Sequence, residues 1–110
     1  MKNIGQFLKR VNASTLTNNT QRVLHRLLSA RGSWVQATEL HQAVPAKTLE
    51  ATTARVRDLR KDEFGSFAVE CKSARDLKRA GGVRTYFYRI NPRNVTVRQV
   101  VSALRLTKTR

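Results

Sequence analysis

Between Pro45 and Asp58 the sequence places short and cationic side chains at helical intervals: Lys47, Thr48, Ala51, Thr52 and Arg55. Read as one side of a helix, these side chains are small or slender enough to enter a duplex major groove roughly 12 Å wide. A guanidinium at Arg55 matches the paired acceptors of a guanine edge. Threonine hydroxyls bond bases or touch a thymine methyl, and a lysine such as Lys47 neutralises a phosphate. Ordinary roles stand beside these: Arg55 can pair with Asp58 three residues on, and Thr48 or Thr52 can cap a helix or sit on its surface. Glu50 suits a cytosine amino group, but an acid there chiefly favours a helix N-terminus, so it is not assigned to the site.

A second basic cluster, Arg75, Lys78, Arg79 and Arg84, surrounds Gly81-Gly82. On a loop these bases can follow a phosphate rail or enter a minor groove, and the glycines let the backbone approach closely; the plain alternative is a solvated loop. Thr38, expected as a helix N-cap, opens a row of amide N–H groups that suits an anion. Lys2, Lys9 and Arg10 at the N-terminus are candidates for further backbone anchoring. Arg57, Arg60 and Lys61 lie among Asp58, Asp62 and Glu63 and are expected to form a self-satisfied surface network.

Other chemistries find little support. His25 and His41 stand sixteen residues apart with no cysteine or paired carboxylate at ligand spacing, so no metal site is expected. Cys71 is the single cysteine, which excludes an internal disulfide, and it is expected to pack inward as a small hydrophobe. No nucleophile–base pair, phosphate-cradling loop or dinucleotide glycine pattern occurs, so no enzyme activity, cofactor or small-molecule ligand is expected. Trp34, Phe64, Phe67 and Tyr86 are expected in the core.

The chain that must position these groups has 110 residues, enough for one small domain with arms. Its 40% hydrophobic and 26% charged residues describe a folded protein rather than a disordered tail. No apolar run approaches the roughly 20 residues needed to span a bilayer, so a soluble, cytoplasmic protein without a membrane partner is expected. The net charge of +15 and pI near 11.6 lie well beyond an ordinary small domain and favour a polyanionic partner. That charge is unevenly placed: residues 1–38 hold six bases and no acid, residues 39–71 are near neutral, and residues 72–110 hold eleven bases against Asp76 alone. A neutral centre between cationic flanks suggests that some elements read while others hold phosphates.

Periodicity outlines the elements. Ile4, Phe7, Leu8 and Val11 allow a short N-terminal helix. A clear helix is expected from Thr17 to Ala30, buried through Leu16, Thr20, Val23, Leu24, Leu27 and Leu28, with Gly32 as its left-handed C-cap. Trp34-Val35-Gln36 is long enough for one strand-like bridge. The next helix begins after Thr38, buries Leu40, Ala43 and Val44, and stops at Pro45. A third helix is expected from Ala46 or Lys47 to Asp62 or Glu63, with Leu49, Thr53, Val56 and Leu59 inward. Past Phe64-Gly65 the period falls to two: Phe67, Val69 and Cys71 mark one strand, and residues 85–90 a second. The long basic loop between them makes a hairpin. A last helix from Thr96 to Leu104 carries Val97, Val100, Val101 and Leu104, and residues 105–110 form a basic tail expected to fray.

This order of elements resembles the winged helix-turn-helix class of small bacterial and phage regulators. The resemblance runs over about residues 17–91, through residues 32–40 as the bridge into the second helix, residues 54–61 as the end of the third, and Tyr86-Phe87-Tyr88-Arg89-Ile90 as the returning wing strand. It implies an α+β, mainly helical fold: a three-helix core, a two-stranded β-hairpin wing and a C-terminal helix. The corresponding divisions are 1–15 (arm or short helix), 16–92 (winged helix-turn-helix) and 93–110 (helix and tail). It further implies a sequence-selective double-stranded DNA-binding regulator of a phage or mobile element, with Val97, Val100, Val101 and Leu104 either covering the domain or forming a homodimer seam. Alternatives are an architectural accessory factor of excisionase or replication type, or a phage inhibitor of a host protein.

Overall fold

The computed structural model describes residues 18–79 and 85–104. Among them lie four α-helices and one three-stranded antiparallel sheet, an α+β domain: α1 (Asn19–Ser29), β1 (Val35–Gln36), α2 (Ala37–Gln42), α3 (Leu49–Asp58), β2 (Val69–Ser73), β3 (Tyr86–Ile90) and α4 (Val97–Leu104). Short 3-10 turns at Asp62–Phe64 and Pro92–Asn94 complete the path. No described helix is long and apolar enough to cross a membrane.

Asn18 starts α1, its side-chain oxygen accepting from the Gln21 N–H at 2.8 Å. Val23, Leu24, Leu27 and Leu28 then form a stripe on one face, all buried, and each fully buried leucine contributes about 1.5–3 kcal/mol. The left-handed turn that ends α1 begins one residue earlier than expected. Arg31 (φ 54°) takes the first left-handed position and Gly32 (φ 91°) the second. Gly32 is also a close approach, since a Cβ there would lie 3.1 Å from the Pro92 ring.

The N-cap of α2 is Gln36, not Thr38. Glu39 Oε1 accepts from the Gln36 N–H at 3.0 Å, which moves the helix start back two residues and leaves Thr38 inside it, exposed. Helix α3 is shorter than expected at both ends. Thr48 Oγ1 accepts from the Ala51 N–H at 3.1 Å, so the helix begins at Leu49. At the other end the backbone leaves helical geometry after Leu59 and turns through Gly65 (φ 112°), where a Cβ would stand 2.5 Å from the Phe67 ring.

The sheet has order β1-β3-β2, one strand more than the expected hairpin, because Val35–Gln36 pairs with Tyr88 and Phe87. Strand β2 pairs with β3 from Val69↔Ile90 to Ser73↔Tyr86. Val35, Val69, Tyr88 and Ile90 join the helical core. By alternation Cys71 and Tyr86 share that face, yet both are exposed, Cys71 on the edge strand β2 beside the buried Tyr88 and Tyr86 at the start of β3; both were expected inside. Phe67 is buried as expected, while Trp34 and Phe64 are half-buried.

Helix α4 closes the domain. Thr96 Oγ1 accepts from the Gln99 N–H at 3.1 Å, and Gln99 Oε1 accepts from the Thr96 N–H at 2.9 Å. Gln99 Nε2 donates to the Gly65 carbonyl at 3.0 Å, and Gln21 Nε2 to the Ala103 carbonyl at 3.3 Å. Val100 is fully buried in the chain's own core with Val97 packed against it, so these two cover the domain and are not a free seam. The side chains of Val101 and Leu104 lie outside the described set.

Candidate nucleic-acid interface

The orientation of α3 decides which side chains it can present. Its buried stripe is Thr52, Val56 and Leu59, each no more than 1% exposed. At about 100° per residue, the opposite side carries Glu50, Ala54 and Arg57. Glu50 and Arg57 are exposed and Ala54 is half-buried. The expected reading set is therefore turned away from the outward side. Lys47 and Ala51 remain exposed beside it, the first just ahead of the helix. The Thr48 hydroxyl serves as the cap. Thr52 is fully buried, its Oγ1 sharing a 2.7 Å hydrogen bond with Nδ1 of His41 on α2. Arg55 leans onto Asp58: its Nε is buried and 3.2 Å from Asp58 Oδ2, without the alignment of a hydrogen bond.

Two stripes with the same spacing competed here. Leu49–Thr53–Val56 and Thr52–Val56–Leu59 both follow i, i+4, i+7. The first looks better by hydrophobicity, but the Thr48 cap makes Leu49 the first residue of the helix, where it is 37% exposed, whereas His41 gives Thr52 a partner inside. The missed residue is Arg57. Of the network expected among Arg57, Arg60 and Lys61, only Lys61 pairs with an acid among the described residues, Asp58 at 3.2 Å. Arg60 donates Nε and Nη2 to the Val69 carbonyl at 3.2 and 2.9 Å, joining the end of α3 to β2. Arg57 forms no ion pair or side-chain hydrogen bond among the described residues.

The segment after β2 is folded rather than slack. Ser73 Oγ accepts from the Asp76 N–H at 3.2 Å and the Leu77 N–H donates to the Ser73 carbonyl at 3.2 Å, making one helical turn. The turn then ends in a Schellman arrangement: Lys78 is left-handed (φ 56°), its N–H reaches Arg75 O at 3.1 Å, and the Arg79 N–H reaches Ala74 O at 2.9 Å. Ala74 is fully buried beneath it and donates to Thr85 O at 2.7 Å. Arg75 and Lys78 are thereby held exposed, with no acidic partner among the described residues. Arg79 stacks over the Phe87 ring at 5.1 Å. Lys72, exposed on β2 opposite Phe87, joins this cluster unannounced by the sequence reading. Arg84 and Gly81-Gly82 lie outside the described residues, as do Lys2, Lys9 and Arg10.

Not every cation is available. Arg89 Nη2 and Nε lie 3.1 and 3.2 Å from Glu70 Oε1, and its guanidinium stacks 4.5 Å over Trp34. Tyr88 is buried on the central strand, between Val35 of β1 and Cys71 of β2. Burial first, then the neighbouring Cys71 that accompanies it, pushes its phenol up to about 12, and the positive charges of Arg60 and Arg57 oppose the shift only in part. The charge of Arg57 on α3 is thus felt at the Tyr88 phenol on β3. Among the described residues no three His, Cys, Asp or Glu side chains come together as a metal site. No family model, curated protein or solved structure matches the chain.

Proposed function

We propose that the chain is a winged helix-turn-helix protein that binds double-stranded DNA selectively, as a transcriptional regulator. In this reading α2 and α3 are the helix-turn-helix pair, α3 enters the major groove by its Glu50–Ala54–Arg57 side, and the β2–β3 hairpin is the wing. One observation carries the reading: Arg57 on α3 and Arg75 and Lys78 in the turn after β2 are exposed without acidic partners among the described residues, whereas Arg55 and Arg89 are tied to carboxylates. Unpaired cations on rigid elements are what a phosphate backbone requires. Lys47 and Lys72 widen the track, and the basic N-terminal residues Lys2, Lys9 and Arg10 extend it along the duplex.

The test is a salt titration of binding to short duplexes followed by fluorescence anisotropy. Each neutralised phosphate gives a slope of about −0.9 in log K against log salt, so engagement of some six bases gives a slope near −5. No duplex binding at moderate salt, with a host protein retained after nuclease treatment, contradicts the proposal.

A further inference from the structure

Glu50 is the acidic side chain, among those described, that the fold does not use. Glu39 caps α2, Asp58 holds Arg55 and Lys61, Asp62 accepts from Ser66, Glu70 holds Arg89 and Asp76 accepts from the Ser73 N–H. Glu50 alone among the described acidic side chains has neither an ion pair nor a side-chain hydrogen bond. Its place in the first turn of α3 suits the helix dipole, which accounts for an acid there but not for its lying opposite the buried stripe. On a surface that approaches phosphates such a charge weakens binding everywhere, unless one base presents a donor to it.

Resting on the DNA-binding reading above, we propose that Glu50 and Arg57 together set the sequence preference: Glu50 accepts from a cytosine amino group and Arg57 donates to a guanine, three base-pair steps away. Seven residues of helix rise about 10.5 Å, close to three duplex steps of about 3.4 Å. The chemistry is complementary at each end. Cytosine is the base whose major-groove edge offers a donor without an accompanying acceptor, and guanine offers two acceptors to a guanidinium. Ala54, between them on the same side, leaves room for a thymine methyl. Glu50 acts largely by exclusion: facing guanine O6 and N7 or thymine O4 it repels, so it trades affinity for selectivity.

The experiment is selection of bound duplexes from a random pool by the full chain and by Glu50→Ala, Glu50→Gln and Arg57→Ala, with thermal unfolding of each as the folding control. The wild-type motif is expected to contain cytosine and guanine three steps apart. Glu50→Ala erases the cytosine preference and raises affinity for unrelated duplexes several-fold. Glu50→Gln shifts that column toward adenine, which glutamine reads. Arg57→Ala erases the guanine preference, a loss of roughly tenfold in discrimination. A cytosine column untouched by both Glu50 variants, or a motif without the paired columns, overturns the assignment while leaving duplex binding intact. Absence of duplex binding by the wild type removes the underlying reading as well.

Discussion

Helix α3 and the turn that follows β2 both present cations, but they differ in the company those cations keep. On α3 charges of both signs share a small surface: Arg55 is held by Asp58, Arg57 has no acidic partner among the described residues, and Glu50 lies two turns before it on the same side. In the turn after β2 the one acid, Asp76, accepts from the Ser73 N–H at 3.5 Å, and Arg75 and Lys78 stand exposed beside it. A surface of mixed sign discriminates between base edges, since each wrong edge meets a repulsion. One of uniform sign holds any phosphate equally well. In the proposed reading selectivity and grip are thereby divided between α3 and the turn after β2.

Removing the grip is the strongest way to break this division. Arg75→Ala/Lys78→Ala is expected to shrink the salt slope by about 2, on the order of a 30-fold loss in affinity at 0.15 M salt. The loss should be the same for preferred and unrelated duplexes, as read by anisotropy. A loss confined to the preferred sequence contradicts the division.

A smaller effect, on the other side of the comparison, is expected from Thr52→Val. Valine fills the same buried space but leaves His41 Nδ1 without its 2.7 Å partner, so α3 loses its tie to α2. Stability should fall by about 1 kcal/mol in chemical unfolding. Selectivity should drop more than non-specific affinity, the reverse of the wing variant.

The smallest effect belongs to Tyr88, buried on the central strand of the sheet. Its phenol, raised in the fold to about 12 from an ordinary value of 10, ionises first in the unfolded chain. Its contribution is therefore fully present below pH 10 and is lost as pH climbs toward about 12. Unfolding measured over that window should depend less on pH in Tyr88→Phe than in the wild type.

The two regions also differ in how far they could be read from residue order. Helix α1 was legible because Val23, Leu24, Leu27 and Leu28 admit one helical frame. Helix α3 admits two, and what selects between them is distant in sequence: the buried partner that His41 offers Thr52, eleven residues away. The frame that hydrophobicity favours puts Arg55 outward, the observed one Arg57. In the wing, Ser73-x-x-Asp76 is a capping signature visible in the sequence, but a single turn is too short for periodicity to reveal. At the second helix Thr38 is the better cap by type, yet Gln36 takes the role because the Glu39 carboxylate reaches back to its N–H. The short strand at residues 34–36 was legible as a bridge, but its partner was not, because two residues carry no alternation; pairing with β3 defines it.

The central claim, that the outward side of α3 and the wing turn contact one duplex together, is tested most directly by titrating isotopically labelled protein with a duplex and following its backbone and side-chain resonances. The account predicts perturbations at Glu50, Ala54 and Arg57 and at Arg75 and Lys78, appearing at the same stoichiometry, with Arg89 and Trp34 unmoved. Perturbations centred on Trp34 and Arg89, or on the wing turn with α3 silent, would contradict it.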